Sequence, residues 1–160
     1  MIDNHQLRLY VKAMSRVRKS LPRSLVLAAL LSLALVSSEA WAGAVPEANA
    51  GNPGQTLDVK SLSVKGKTTL IDFYSPFCPP CVRLAPIMAQ LAKKRPDLAL
   101  KKVNINRPEV KGIDWRSPLA QQHQIRQVPY FMIFSPQGQL VAQGREAAET
   151  VERWLKEAGL

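Results

Sequence analysis

The chain has 160 residues, 46% hydrophobic and 21% charged, a balance too rich in apolar groups for a mainly disordered protein. It holds no series of long apolar runs, so a multi-span membrane protein is excluded as well. The formal net charge is +10, but six of the 22 basic residues and only two of the 12 acidic ones fall in the first 42 positions, leaving +6 on the rest.

In chain order, a basic segment, Arg16 to Arg23, precedes an apolar run, Leu25 to Val36, interrupted only by Ser32. Ala40 and Ala42 then flank Trp41 in a small-x-small pattern. This succession is that of a secretory signal peptide. A spanning helix needs roughly 20 apolar residues, and this run stops short of that, with Glu39 just beyond it. Cleavage after Ala42 is expected, leaving no stable membrane span; the alternative is retention as an anchor. Met14 offers a second start that gives a leader of more usual length. No cysteine lies near the cleavage point, which excludes a lipoprotein. Residues 1–42 are thus read as leader and 43–56 (GAVPEANAGNPGQT), with no apolar periodicity, as a flexible linker. Residues 57–160 are read as one folded domain, long enough for a core of its own.

Within that domain, Thr68 to Tyr74 (TTLIDFY) is β-branched and aromatic and predicts a buried strand. Pro80 to about Lys94 has apolar residues at helical spacing, with Pro79 and Pro80 at its first turn, where a missing N–H costs nothing. Leu98 to Ile105 predicts a second strand. Ser117 to Gln124 predicts a short helix capped by Ser117, with Pro118 at its first position. Tyr130 to Phe134 is a third strand, Ser135 to Gly138 a turn, and Gln139 to Gln143 the hairpin partner. Glu146 to Ala158 closes the chain as an amphipathic helix. Such alternation predicts an α/β fold with a central mixed sheet flanked by helices.

The only cysteines are Cys78 and Cys81, in the order Cys-Pro-Pro-Cys, between the first strand and the first helix. Four zinc ligands are not at hand, because His123 is the only histidine outside the leader, so no metal is expected. A static disulfide closing so short a loop adds little chain-entropy stabilisation. A Cys-x-x-Cys after a strand and at a helix start is the setting of a redox pair. There, orphan N–H groups and the positive end of the helix dipole favour a thiolate. Cys78 is expected to be the nucleophile, and Cys81, one turn further in and better buried, the resolving thiol.

The segment Ile71 to Cys81 (IDFYSPFCPPC), with Pro86 five residues beyond and Val128-Pro129 before a later strand, resembles the active-site elements of the thioredoxin family. Gly138 and Gly144 also fall where that family carries glycines, and the likeness spans about Leu57 to Leu160. The resemblance implies a thioredoxin fold and a thiol–disulfide oxidoreductase with no cofactor. It implies that Asp72 is the buried acid that exchanges a proton with the resolving cysteine; independently, a carboxyl in an apolar strand should have a raised pKa. It implies that Pro129 is cis, facing the cysteines and keeping metal out, and that the Val128 backbone pairs with an extended substrate segment. Phe77 replaces the tryptophan usual beside the first cysteine and is expected on the docking surface.

The Pro-Pro dipeptide is shared with exported thioredoxin-like proteins of cytochrome c maturation, although this chain has little room for the insertion usual in that group. An exported reductant of protein disulfides is therefore expected, periplasmic or in an equivalent space, monomeric, and recharged by a membrane electron donor. A disulfide-forming oxidant or isomerase on the same site remains an alternative. So does a non-catalytic module that binds thiol proteins or copper. The basic clusters Lys93-Lys94-Arg95 and Lys101-Lys102 lack interleaved aromatics and read as a solvated face rather than a nucleic-acid site. His123, among glutamines, is expected to be exposed. The stretch Arg107 to Arg116 is longer than the matching loop of a minimal thioredoxin, and Trp115 within it either lines a substrate groove or pins its own loop.

Overall fold

The computed structural model describes residues 45–160; the expected leader and its apolar run lie outside the described residues. Strand β1, Thr68–Tyr74, is buried at all five internal positions, as a central strand of β-branched and aromatic residues should be. Strand β2, Leu98–Asn104, runs parallel to it with Thr68 opposite Leu98 and Tyr74 opposite Asn104. Strand β3, Tyr130–Phe134, lies antiparallel on the other side of β1, and β4, Leu140–Gln143, is its hairpin partner. The sheet order is β2-β1-β3-β4. Helices α1 (Pro79–Lys94), α2 (Pro118–Gln122) and α3 (Gly144–Glu157) complete the fold, and a 3-10 turn, Val59–Leu62, precedes β1.

Alternation along β1 splits the core in two. Leu70 points to one face, where it packs with Leu98, Leu100, Phe131 and Ile133, Met88 and Leu91 of α1, and Ala147 and Val151 of α3. Ile71 and Phe73 point to the other, with Val103, Ile105, Met132 and Phe134, Val59 of the 3-10 turn, and Leu119 and Ala120 of α2. Leu70, Ile71, Phe73 and Leu91 are fully removed from water, each such side chain contributing roughly 1.5–3 kcal/mol of transfer free energy. The far end of α1 is fastened to α3, with the Arg95 guanidinium 4.7 Å from the centre of the Trp154 ring and Lys94 Nζ donating to the Ala158 carbonyl at 2.5 Å.

The linker expectation needs correction. Residues 45–56 form a strap along the free edge of β2. Glu47 bridges Lys102 in parallel register, and the Ala48 N–H donates to the Lys102 carbonyl at 2.7 Å. Asn49, buried, accepts from the Asn104 N–H and donates to the Asn104 carbonyl, both at 2.9 Å. Gly54 accepts from the Leu119 N–H and donates to the Asn104 carbonyl. A composition rich in Gly, Asn and Pro here serves turns and side-chain-to-backbone bonds instead of free movement. The domain thus includes residues well before Leu57.

Because β1 and β2 are parallel, both lead out at the same end of the sheet, and antiparallel β3 enters there. The Cys78 turn, the loop after β2 and the loop before β3 therefore converge.

Candidate active site

The chain leaves β1 through buried Ser75, whose hydroxyl accepts from the Phe77 N–H at 3.1 Å and whose carbonyl accepts from the Cys78 N–H at 3.1 Å. This tight turn sets Cys78 as the N-cap of α1. The next two positions, Pro79 and Pro80, have no N–H to offer. The first donor of the helix is therefore the Cys81 N–H, and it points at Cys78 Sγ from 3.2 Å. Cys78 and Cys81 are joined as a disulfide with their Cα atoms 5.3 Å apart.

Across from the pair stands the loop before β3. The Val128–Pro129 peptide bond is cis, as the resemblance implied, and the Val128 carbonyl oxygen lies 3.6 Å from Cys78 Sγ. Val128 and Pro129 are half-buried, so each keeps an outward edge. Phe77 and Val82 flank the cysteines with 44% and 56% of their surfaces exposed, an apolar rim around the sulfurs.

Asp72 points to the same face of β1 as Leu70, the face covered by α1, the helix that begins at the cysteines. It is buried and its Oδ1 has no hydrogen-bond partner among the described residues. Desolvation raises its pKa to about 6, while the nearby Lys102 ammonium pulls in the opposite direction. Lys102 itself sits over the Tyr74 ring, Nζ 4.0 Å from the centroid, and the Tyr74 hydroxyl donates to Glu47 of the strap. Burial and Glu47 both push the Tyr74 pKa up.

Two expectations are overturned here. Cys81 is not better buried than Cys78: both are buried, Cys78 2% and Cys81 5% exposed. His123 is half-buried, not exposed. Its ring packs 5.4 Å from Phe73 at the C-terminus of α2, its Nε2 has no partner among the described residues, and desolvation lowers its pKa. Lys102, expected on a solvated face, is half-buried and stands opposite Asp72. The signal was there in LALKKVN, where Lys102 follows Leu98 and Leu100 at a spacing of two and so shares their inner face.

A comparison with known proteins decides the family. The thioredoxin family profile matches residues 58–157, well over half of the chain. The chain belongs to the thioredoxin family. It is similar to thioredoxin H5 of Arabidopsis thaliana, 29% identical over 104 residues that cover 64% of this chain and 80% of the relative. It is also similar to thioredoxin H3 of the same plant, 32% identical over 53% of this chain and 64% of the relative. Among solved structures, thioredoxin F from spinach chloroplast superposes with a TM-score of 0.50 at 23% identity, over 77% of this chain and all of the other, a likeness of fold. This thioredoxin-family protein is a thiol–disulfide oxidoreductase with a Cys-x-x-Cys disulfide at the mouth of α1, and its family acts on protein thiols and disulfides.

Proposed function

We propose that this protein reduces disulfides of exported proteins in the cell envelope, through a dithiol–disulfide cycle of Cys78 and Cys81. The Cys78 thiolate attacks one sulfur of a substrate disulfide, and the departing substrate thiolate takes up a proton. Cys81, deprotonated with the carboxylate of Asp72 as proton acceptor, then attacks Cys78 Sγ. The second substrate thiolate leaves and is protonated. The substrate gains two electrons and two protons, and the enzyme is left with the disulfide seen in the structure. The Val128 backbone pairs with the extended substrate chain, Pro129 bounds the groove, and Phe77 forms its apolar lip.

One observation carries this reading: the Cys81 N–H aimed at Cys78 Sγ, with the Val128 carbonyl 3.6 Å away on the side where a substrate chain must lie. The direction of electron flow is argued from the same place. A helix start usually offers several N–H groups to an anion, but Pro79 and Pro80 leave the sulfur with one. A thiolate so sparingly stabilised leaves the disulfide form relatively favoured, which suits a reductant. Export is supported by the basic, apolar and small-residue order of the leader. With two cysteines in the sequence there is no third thiol for an internal relay, so a membrane reductase is proposed as the electron donor, and the protein works as a monomer.

Insulin reduction by the full chain tests the proposal. Turnover is expected, and Cys78→Ser abolishes it. A wild-type chain without turnover overturns the reading, and an equilibrium potential well above that of thioredoxin overturns its direction.

A further inference from the structure

We infer that a groove beside the active site, between the loop after β2 and the loop before β3, binds an acidic segment of the substrate protein next to its disulfide. The inference rests on the reductase reading above and adds a substrate preference to it.

The groove has a volume of about 210 Å³ and is lined by Trp115, Ala120, Gln121, Gln124, Ile125 and Arg126. Ligand pockets generally run to roughly 300 Å³ and upward, so this one is of side-chain size. It lies at the catalytic end of the sheet. The Ile105 N–H, at the exit of β2, donates to the Tyr74 carbonyl, just ahead of the cysteine turn. Arg126 stands two residues before Val128, about 7 Å at full extension, and the Val128 carbonyl touches Cys78 Sγ. A substrate chain whose cysteine is bonded to Cys78 therefore reaches the groove within a few residues.

The loop is built to hold Trp115 open. Asp114, almost fully buried, accepts from Arg107 Nε at 2.7 Å and Nη2 at 3.1 Å, and also from the Arg107 and Arg116 backbone N–H groups. The Asn106 side chain accepts from the Asp114 N–H and donates to the Gly112 carbonyl. Gln121 Nε2 donates to the Trp115 carbonyl at 2.7 Å. With the backbone fixed by these bonds, the indole is not needed as an anchor for its own loop, and it remains 38% exposed. Large aromatic side chains held on a rigid frame are strong binding anchors.

Charge selects the occupant. Arg107 is the partner of both acids of this loop, Asp114 at 2.7 Å and Glu109 at 3.9 Å. Lys111, Arg116 and Arg126 have no acidic partner among the described residues; exposed Arg126 lines the groove, and exposed Arg116 follows Trp115 in the chain. An occupant bearing Asp or Glu beside an apolar side chain satisfies Arg126 and the indole together, and a basic one is repelled.

The test uses the full chain and three disulfide substrates: neutral 2-hydroxyethyl disulfide, and two matched disulfide-bridged peptides whose cysteines are flanked by Leu and Glu or by Leu and Lys. Exposed charge pairs are each worth up to a few-fold. The Glu peptide is therefore expected to show a kcat/KM about five-fold above the Lys peptide at low salt, the ratio falling toward one near 1 M salt. Arg126→Glu is expected to reverse the ratio, and Trp115→Ala to raise KM for the Glu peptide about ten-fold. Equal rates for the two peptides, or a ratio indifferent to Arg126→Glu, overturn the groove while reduction of 2-hydroxyethyl disulfide leaves the reductase reading standing. Failure on all three substrates overturns the reductase reading itself.

Discussion

Asp72 and Lys102 sit opposite each other in the parallel pairing of β1 and β2, on the sheet face that α1 covers. The carboxyl lacks a hydrogen-bond partner at Oδ1, and the ammonium is drawn over the Tyr74 ring, whose hydroxyl is held by Glu47. Lys102 therefore offsets only part of the desolvation of Asp72. The acid keeps a pKa of about 6, close to the range in which a proton can be both given and taken near neutrality.

This arrangement makes a prediction about stability. The folded-state pKa of Asp72 lies above the ordinary aspartate value, so the folded chain binds a proton that the unfolded chain has released. Stability is then greatest below about pH 4 as far as this group is concerned, and it is lost as pH rises through about 6. A shift of roughly two units corresponds to about 3 kcal/mol at pH 7. Asp72→Asn is expected to stabilise the oxidised protein by about 1–3 kcal/mol at neutral pH. It should also flatten the pH dependence of the urea midpoint between 4 and 6. A variant as unstable as wild type at pH 7 contradicts this account of the carboxyl.

Lys102 allows the complementary change. Lys102→Met keeps much of the stem over Tyr74 and removes the charge. Asp72 then loses the interaction that pulls its pKa down, so its titration is expected to move above 6, followed by carbon-detected NMR of the carboxyl. The acidic limb of the rate profile for insulin reduction should move with it. If the carboxyl titration stays where it was, the ammonium is not what Asp72 senses.

Much of this site is legible in the sequence alone. The cysteine pair, the strand that feeds it, the prolines of the first helical turn and Val128-Pro129 are local or evenly spaced features, and α1 begins one residue from the expected position. What the sequence hid depends on pairing between distant segments. The strap looked like a tether because its stabilising bonds are to the edge of β2, more than fifty residues away. His123 looked exposed because its neighbours in sequence are glutamines, while its neighbour in space is Phe73 of β1. The contact of the Val128 carbonyl with Cys78 Sγ joins residues fifty positions apart, which no reading of the helix alone contains.

The strap supplies a third prediction. Asn49→Ala leaves the Asn104 N–H without its partner, and the Asn104 carbonyl with only the Gly54 N–H, at a partly buried position. An unsatisfied buried backbone group costs roughly 1–3 kcal/mol, so a loss of about 2 kcal/mol is expected in urea unfolding. Gly54→Ala should be at least as damaging. Its φ of +73° disfavours any side chain, and a Cβ there would stand 2.6 Å from the Arg107 nitrogen and 2.7 Å from the Asn106 carbonyl carbon, both backbone atoms that cannot yield. Because Arg107 opens the loop that carries Trp115, this variant should also alter the exposure of that indole to a fluorescence quencher. A strap that could be cut or altered without loss of stability would return residues 45–56 to the status of a tether.

The two prolines between the cysteines allow the direction of electron flow to be altered by one residue. Pro80 occupies the second position of α1, where a helix N–H ordinarily points toward the N-cap side chain. Pro80→Ala restores that donor without adding charge or bulk. The reduced form then has two N–H groups on the Cys78 thiolate in place of one, and hydrogen bonds to an ionised acceptor are the strong ones. Stabilising the reduced form makes the disulfide easier to reduce. If the added bond is worth about 1.4 kcal/mol, the potential rises by about 30 mV, a ten-fold change in the equilibrium with glutathione. The variant is thus expected to be a better oxidant and a poorer reductant than wild type, with slower insulin reduction at a fixed donor concentration and a higher thiolate ultraviolet absorbance near neutral pH. Pro79→Ala, at the first helical position, is expected to do less, since the N-cap side chain bonds the second or third N–H of a helix. An unchanged potential in both variants would mean that the dipeptide sets the path of the chain and not the electron affinity of the pair.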